Sequence, residues 1–151
     1  MGIKVLTISD MPNALAIAHH AFEKFIAPDY TEEGKDEFYK FASIENFAGN
    51  MQSDNYYVWG ACIEDQIAGV AALRNENCVA IFSVHESYHL RGIGKRLMHT
   101  LKSYAKENYS REFITVNASN YAVPVYEKLG FVRVSETQNI NGVVSNPRLF
   151  Q

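Results

Sequence analysis

Cysteine is scarce in this sequence of 151 residues: Cys62 and Cys78 are the only two, and they form no CxxC pattern. Two such cysteines are too few for a disulfide framework or a cysteine-based zinc site, so we expect a reduced, cytoplasmic setting. Long apolar runs are absent as well. No stretch approaches the roughly 18 apolar residues of a membrane-spanning helix, and residues 1–5 lack the apolar core of a signal peptide. We therefore expect no membrane partner.

The charge balance gives no sign of a basic surface. Lys and Arg together number 14, against 17 Asp and Glu, for a formal net charge of −3. With no basic run, this argues against nucleic acid as a partner, although a local basic site can still hold a small anion. The 47% of hydrophobic and 21% of charged residues are typical of globular proteins. The length predicts one domain over residues 1–151.

The order of hydrophobic patterns predicts a mixed α/β domain. Apolar residues at three- and four-residue spacing indicate helices, and alternating or aromatic and β-branched runs indicate strands. In chain order, the predicted elements are a strand at 3–8, helices at 12–28 and 31–49, strands at 56–63, 67–73 and 78–84, a helix at 92–106, a strand at 113–116, a helix at 119–129, and strands at 131–134 and 143–149 joined by a turn at Asn141-Gly142. We expect one central mixed sheet flanked by helices.

A glycine-containing segment, Arg91-Gly92-Ile93-Gly94-Lys95, follows an apolar strand and opens a predicted helix. Its glycines let a ligand approach the backbone, because no Cβ blocks it. The first amides of a helix lack internal partners and favour an anion, and Arg91 and Lys95 add positive charge. The segment predicts a phosphate or pyrophosphate site, with a turn into an ordinary helix as the alternative. The Walker A and Rossmann patterns are not met, because GK[ST] is missing and Leu97 replaces a third glycine.

The motif His85-Glu86-Ser87-Tyr88-His89 matches HExxH, in which two histidines on one helical face bind zinc and the glutamate activates a water molecule. The longer metzincin form requires a third histidine at the position of Lys95, whose ammonium group cannot bind a metal. The preceding strand, together with Gly92 and Gly94, is unfavourable for a continuous helix. A zinc metallopeptidase is therefore the less favoured alternative, and His85 and His89 are otherwise solvated loop residues.

A second motif lies downstream, Tyr126-Glu127-Lys128-Leu129-Gly130-Phe131. Together with Arg91-Gly92-Ile93-Gly94 it resembles the GCN5-related N-acetyltransferase (GNAT) family, in which the first motif is the acetyl-CoA loop and the second is the end of a helix. The order of predicted elements resembles this family along nearly the whole chain. The resemblance implies a GNAT fold and an enzyme that transfers the acetyl group of acetyl-CoA to a primary amine by direct attack, with no metal.

The resemblance also implies roles for individual residues. The backbone of Arg91, Gly92, Ile93, Gly94 and Lys95 would bind the pyrophosphate of coenzyme A. The pantetheine arm would pair with the strand end formed by Phe82, Ser83 and Val84, where one amide would polarise the thioester carbonyl. Tyr126 falls on the tyrosine that protonates the departing thiolate, a role compatible with a phenol whose ordinary pKa is near 10.

Two positions depart from the family pattern. His89 stands where the family usually has Gln or Arg, and Ser119, followed by Asn120, replaces a common Asn. We expect both places still to contact the coenzyme. The attacking amine must also lose a proton. Two tight connections predict that the strands at 56–63, 67–73 and 78–84 form an antiparallel meander. Glu86, just after the third of these strands, is our candidate for the base, with a solvated carboxylate as the alternative.

The acceptor is left open between a small-molecule amine and a peptide amine. In GNAT proteins the first two helices and the last hairpin shape the acceptor pocket, which here means residues 21–47 and 138–149. The first of these ranges is rich in aromatic and acidic residues, a wall that suits a cationic amine, although aromatic residues at helical spacing also build cores. Family members often form homodimers, so we expect that this chain can do so. A non-catalytic acyl-CoA-binding module is the alternative function.

Overall fold

The sequence patterns fold into eight strands and five α-helices within the part of the chain that the computed structural model describes, residues 1–89, 91–140 and 143–151. The strands are β1 (Gly2–Val5), β2 (Tyr56–Ile63), β3 (Gln66–Arg74), β4 (Cys78–Val84), β5 (Ile114–Ala118), β6 (Val132–Arg133), β7 (Gln138–Ile140) and β8 (Val143–Phe150). The helices are α1 (Met11–Ala21), α2 (Glu32–Phe41), α3 (Ile44–Gln52), α4 (Ile93–Tyr109) and α5 (Val123–Lys128). None of the described helices combines the length and the apolar character needed to cross a bilayer.

The strands form one mixed sheet in the order β1-β2-β3-β4-β5-β8-β6, and β7 pairs with β8. Neighbouring strands are antiparallel except β4 and β5, which are parallel. The predicted mixed sheet and its antiparallel meander, β2 to β4, are therefore confirmed. Strand β7 is one that the pattern did not predict. The turn predicted at Asn141-Gly142 lies outside the described residues.

The predicted helix at 31–49 is wrong, because two helices occupy this range. Helix α2 ends at Phe41, and the Ser43 hydroxyl accepts a hydrogen bond of 3.0 Å from the backbone amide of Asn46 at the start of α3. A serine hydroxyl satisfies an unpaired amide at a helix start, which favours a break at this position. The strand predicted at 3–8 is shorter than expected: a 3-10 turn at Ile8–Asp10 follows β1 and leads into α1.

Two hydrophobic layers cover the faces of the sheet. On one face, Val79 and its neighbours pack against Leu97 and Leu101 of α4. On the other, Val70 packs within a cluster that includes Phe47 of α3 and residues of α1. Because successive strand residues point to opposite faces, each central strand contributes alternate side chains to both layers. The sheet is thus buried on both sides, and α1 and α4 lie across from each other near the end of β4.

Candidate functional site

The parallel strands β4 and β5 separate almost at once. Among the described residues, β4 pairs with β5 only at Cys78 and Val79. Ala80 is then an extra residue with no partner on β3, and such a bulge bends the strand that carries it. From Ala80 to Val84, one edge of β4 therefore has no neighbouring strand.

This open edge presents the backbone groups of Phe82 and Val84. The amide of His85 donates a hydrogen bond of 2.8 Å to the carbonyl of Ala68 on β3. Hydrogen-bonded pairs alternate along an antiparallel ladder, so Ser83 also bonds toward β3, and the residues on either side of it direct N–H and C=O to the open side. An extended ligand that contains amide groups can pair with these backbone groups as an added strand would.

His89 covers part of the open edge. Its Nε2 lies 2.8 Å from the carbonyl oxygen of Val84, and it must donate the hydrogen bond because the carbonyl can only accept. The predicted coenzyme contact of His89 is thus next to the strand edge itself. A ligand that pairs with the Val84 carbonyl has to displace this ring or share the oxygen with it.

The predicted phosphate-binding segment at residues 91–95, called the glycine loop below, leaves the start of α4 uncapped. Gly92 is the N-cap residue and adopts the left-handed conformation, with φ 75°. None of the described side chains caps the helix, and no acidic residue lies in its first turn. Within the described part of the chain, the amides of Ile93, Gly94 and Lys95 have no acceptor, since the first helical bond runs from Arg96 to the carbonyl of Gly92. These amides and the helix dipole suit an anion.

Gly94 fits this place because of its contact with Phe82. A Cβ at Gly94 would lie 3.0 Å from Cζ of the Phe82 ring, closer than side chains normally pack. A Cβ at Gly92 would meet no atom within 4 Å. Gly92 therefore serves the backbone conformation, whereas Gly94 serves the close approach of Phe82.

Two adjoining cavities follow the open edge of β4. One, of about 310 Å³, starts at the glycine loop and is lined by His89, Gly92 and Gly94. The other, of about 470 Å³, lies between α1, α2 and β8 and reaches Tyr126. Phe82 and Ser83 line both cavities. An elongated ligand can therefore extend from the uncapped helix, along the edge of β4, to Tyr126.

The larger cavity is mostly apolar and aromatic. The two ranges expected to shape an acceptor pocket both contribute to it, 21–47 with Phe22, Tyr30 and Phe38, and 138–149 with Val144 and Ser145. Among the described lining residues, Glu37 and Arg74 are the charged ones. The cavity therefore offers an aromatic wall with one charge of each sign.

Tyr126 is buried but reaches this cavity. The residue is 5% exposed, and no described group is hydrogen-bonded to its hydroxyl. Burial raises the pKa of Tyr126 above its ordinary value of 10, and the nearby Cys78 thiol raises it further. The hydroxyl is thus protonated at neutral pH and has a hydrogen bond to donate to a ligand.

Glu86, the candidate base, lies beside the smaller cavity, in contact with Lys24 and His20. Its Oε2 is 2.7 Å from Nζ of Lys24, and its Oε1 is 3.1 Å from Nε2 of His20. The hydrogen bonds from Lys24 and then His20 lower the pKa of Glu86 to about 2. A carboxylate with so low a pKa is a weak proton acceptor, and Glu86 does not line the cavity that Tyr126 reaches. Its role as the base stays a prediction.

The HExxH motif has a geometry unlike that of zinc peptidases. His85 ends the strand segment and Glu86–Tyr88 form a 3-10 turn, so the two histidines do not lie on one face of an α-helix. Nδ1 of His85 accepts a hydrogen bond of 3.1 Å from the amide of Ser87, and Nε2 of His89 bonds to the strand edge. The described residues contain no group of three or more His, Cys, Asp or Glu suited to a metal.

Ser119 and Asn120 directly follow β5, across the strand separation from β4. Ser119 lines the larger cavity and accepts a hydrogen bond from the amide of Ala122. The amide oxygen of Asn120 accepts one of 2.9 Å from Asn146, which also donates to the carbonyl of Ala118 at 2.9 Å. Asn146 is 3% exposed. Sequence reasoning missed this residue, because β8 contains other polar residues and only the two-residue spacing of Asn146 from the buried Val144 places it on the buried face.

The fold and the open edge of β4 point to a class of protein that comparison with known families identifies. The chain matches the family described as "Acetyltransferase (GNAT) domain" over residues 26–147. This match covers most of the chain, so the protein belongs to the GNAT acetyltransferase family and is an acetyl-CoA-dependent acyltransferase. The family and the fold predicted from the two sequence motifs are confirmed.

Solved structures show the same fold at low sequence identity. A GCN5-related N-acetyltransferase from Rhodopseudomonas palustris superposes with a TM-score of 0.82 at 23% identity, covering 99% of this chain and 94% of that chain. The PaiA N-acetyltransferase of Thermoplasma acidophilum, solved with coenzyme A, gives 0.76 at 18% identity, with coverage of 100% and 99%. A ribosomal-protein-alanine N-acetyltransferase from Brucella melitensis gives 0.70 at 22%, with coverage of 99% and 97%. No curated protein matches the sequence.

Proposed function

We propose that this protein is an N-acetyltransferase that moves the acetyl group of acetyl-CoA to the primary amine of a small molecule or peptide by direct attack. The observation that carries the proposal is the run of two adjoining cavities from the uncapped start of α4, along the open edge of β4, to Tyr126. We propose that residues 1–151 act as one such domain. The two free cysteines are compatible with the reducing cytoplasm as its compartment.

The coenzyme would lie along the smaller cavity. Arg91, Gly92, Ile93, Gly94 and Lys95 would hold its pyrophosphate through backbone amides and side-chain charge, because the helix start is uncapped and carries no acidic residue. The amide groups of the pantetheine arm would pair with the open side of the β4 segment 82–84, and His89 would contact the arm at the Val84 carbonyl. Ser119 and Asn120 would contact it from the side of β5.

The reaction would proceed by direct attack at the thioester. The nitrogen lone pair of the amine forms a bond to the carbonyl carbon, and a backbone amide on the open edge of β4 stabilises the charge on the carbonyl oxygen. The carbon–sulfur bond then breaks. Tyr126 donates a hydrogen bond, and finally a proton, to the departing thiolate, because its buried hydroxyl is protonated and without another described partner. No covalent enzyme intermediate is required.

Glu86 would receive the proton of the amine through water. It lies beside the smaller cavity and its side chain is 33% exposed, so a chain of water molecules can link it to the thioester and to bulk solvent. Its ion pair with Lys24 keeps it charged and makes direct abstraction unfavourable. The proposal therefore assigns Glu86 a relay and leaves the first acceptor of the proton to water.

Calorimetric titration with acetyl-CoA tests the coenzyme part of this proposal, with coenzyme A and zinc as parallel titrants. We expect micromolar binding of acetyl-CoA that weakens when Gly92 and Gly94 are replaced by bulky residues. An amine screen that measures thiol release then tests transfer, and Tyr126→Phe separates an enzyme from a non-catalytic binding module. Absence of acetyl-CoA binding together with tight zinc binding would refute the proposal.

A further inference from the structure

Arg74 lies on the wall of the larger cavity, at the end of β3. Its Cα is paired with that of Cys78 on one side and Tyr56 on the other. Cys78 directly precedes Val79, the last residue of β4 that pairs with β5. A group bound by Arg74 would therefore sit next to the point where the strands separate, on the route toward the proposed thioester position.

The guanidinium of Arg74 has no ionic partner. Within residues 1–89, 91–140 and 143–151, no carboxylate lies within 4.0 Å of it, whereas Arg111 and Arg148 each contact a glutamate. Its Nε atom is buried and has no hydrogen-bond partner in the part of the chain that the structure describes. Burial lowers the pKa of Arg74 but the Cys78 thiol and the Tyr56 hydroxyl outweigh it, so the net shift is upward and the charge is retained. A partly buried cation of this kind is costly unless an anion pairs with it.

The surroundings favour a single negative charge. Arginine binds a carboxylate through two parallel hydrogen bonds. A phosphate group would bring up to two negative charges into a cavity where the described lining offers one cation and one carboxylate, that of Glu37. The remaining wall is uncharged and mostly aromatic and apolar, with Phe22 and Phe38 among its residues. One carboxylate therefore matches the single positive charge of Arg74, which a phosphate would exceed.

We propose that the acceptor is an amine that also carries a carboxylate, and that Arg74 binds this carboxylate and so determines specificity. This inference rests on the proposed N-acetyltransferase function. It narrows the acceptor from any amine to those in which an acidic group and a primary amine occur in one molecule. The aromatic wall then contacts the carbon chain between the two groups.

The test compares ω-amino acids of two to six carbons with their carboxamides, which keep the amine and the chain but lose the negative charge. Thiol release from acetyl-CoA gives kcat/KM for each member of a pair. We expect the acid of the preferred length to exceed its amide by about 10- to 100-fold, as is typical when a charged hydrogen-bonded pair is lost. Equal kcat/KM for acid and amide at every length would overturn the inference and leave the proposed function standing.

Variants assign the preference to Arg74. In Arg74→Gln the acid-to-amide ratio should fall to near one, mainly through a higher KM for the acid, while the KM for acetyl-CoA stays unchanged. Arg74→Lys should keep part of the preference for the acid, because lysine retains the positive charge but cannot form the two parallel hydrogen bonds of arginine. Arg111→Gln, which also removes one arginine charge but lies outside both cavities, should behave like the parent protein.

The outcomes separate this inference from the function on which it rests. A preference for acids that persists in Arg74→Gln would overturn the role of Arg74. If acetyl-CoA binds and no amine in the panel is acetylated, but the amine screen finds another acceptor, the inference fails and the proposed function stands. If the amine screen finds no acceptor either, both fail. Melting temperatures show whether each variant is folded; should Arg74→Gln not fold, Arg74→Lys and the acid-to-amide ratio of the parent protein decide.

Discussion

The rings of Phe82 and Tyr126 lie 5.7 Å apart, centre to centre, at an interplanar angle of 45°. The same Phe82 ring fills the space above Gly94, where a Cβ would come within 3.0 Å of it. One side chain on the open edge of β4 thus connects the start of α4 with the proposed catalytic tyrosine. A change at the glycine loop is therefore transmitted to the cavity through Phe82.

Gly94→Ala should weaken acetyl-CoA binding by about tenfold, which corresponds to about 1.4 kcal/mol. The new methyl group would lie unusually close to Phe82, and the ring, which lines both cavities, has to shift by a few tenths of an ångström to accommodate it. Calorimetric titration with acetyl-CoA measures the effect, and kcat should fall as well because Phe82 also contacts Tyr126.

Gly49→Ala provides the matched control for this substitution. Gly49 lies within α3, and a Cβ there would meet nothing within 4 Å. Replacement by alanine should stabilise the helix by about 0.5–1 kcal/mol and leave acetyl-CoA binding unchanged. Unchanged affinity in Gly94→Ala would show that Phe82 does not limit the coenzyme site.

Tyr126→Phe should lower kcat by about 10- to 100-fold and leave the affinity for acetyl-CoA unchanged. The substitution removes one hydroxyl that has no described hydrogen-bond partner, so the melting temperature should change little. Tyr104→Phe removes a tyrosine hydroxyl from α4 outside both cavities and should keep full activity. A Tyr126→Phe protein with the turnover of the parent would remove Tyr126 from the mechanism.

The pH dependence of the same residue has a defined sign. Because the pKa of Tyr126 is raised in the folded protein above its ordinary value of 10, the protonated form is favoured by folding. The contribution of the protonated Tyr126 hydroxyl to the free energy of unfolding is therefore fully present below pH 10. It is lost as pH rises through the pKa that Tyr126 has in the folded protein. We expect no fall in kcat from Tyr126 ionisation between pH 8 and about pH 10, measured with an acceptor amine that is already deprotonated.

The sequence predicted β4 with the bounds that the structure shows, Cys78–Val84, because an apolar run and its flanking turns are local signals. The glycine loop could also be predicted, because the start of a helix after a strand is indicated by residues that are neighbours in the sequence. The open edge was not derivable in this way. The open edge depends on where the pairing of β4 with β5 ends, at Val79 and Val116, which are far apart in the chain. Only the family resemblance predicted it.

The partners of individual side chains could not be predicted from the sequence either, because they also join residues that are far apart in the chain. The contact of Glu86 with Lys24 joins residues on different elements, and it changes the chemistry of the candidate base by lowering its pKa. Arg74 ends an apolar strand, which marks it as unusual, whereas Asn146 lies among other polar residues of β8. The burial and the partners of both side chains follow from the packing of the whole sheet.

Asn146→Ala should destabilise the fold by about 2–3 kcal/mol. The buried amide donates to the carbonyl of Ala118 and to Asn120, and it accepts from Thr137, so its removal loses all three hydrogen bonds. Chemical denaturation measures the loss. Asn139→Ala, which truncates an exposed asparagine of β7, should cost little.

The same variant tests whether Asn120 contacts the coenzyme. If it does, loss of Asn146 frees the segment Ser119–Asn120, and the KM for acetyl-CoA should rise in proteins that are still folded at the assay temperature. An unchanged KM would place the coenzyme contacts on the β4 side alone.

Glu86→Gln should reduce kcat by less than tenfold at neutral pH, because a carboxylate whose pKa is about 2 accepts a proton poorly and acts only as a relay. Lys24→Gln removes the main cause of the low pKa, so it should raise the pKa of Glu86 toward its ordinary value of 4.5. Stability follows the same sign: the contacts of the Glu86 carboxylate stabilise the fold above pH 4.5, and their contribution is lost as pH falls toward 2. A loss of 100-fold or more in Glu86→Gln, with acetyl-CoA affinity intact, would make Glu86 the direct base and require its ion pair to open during turnover.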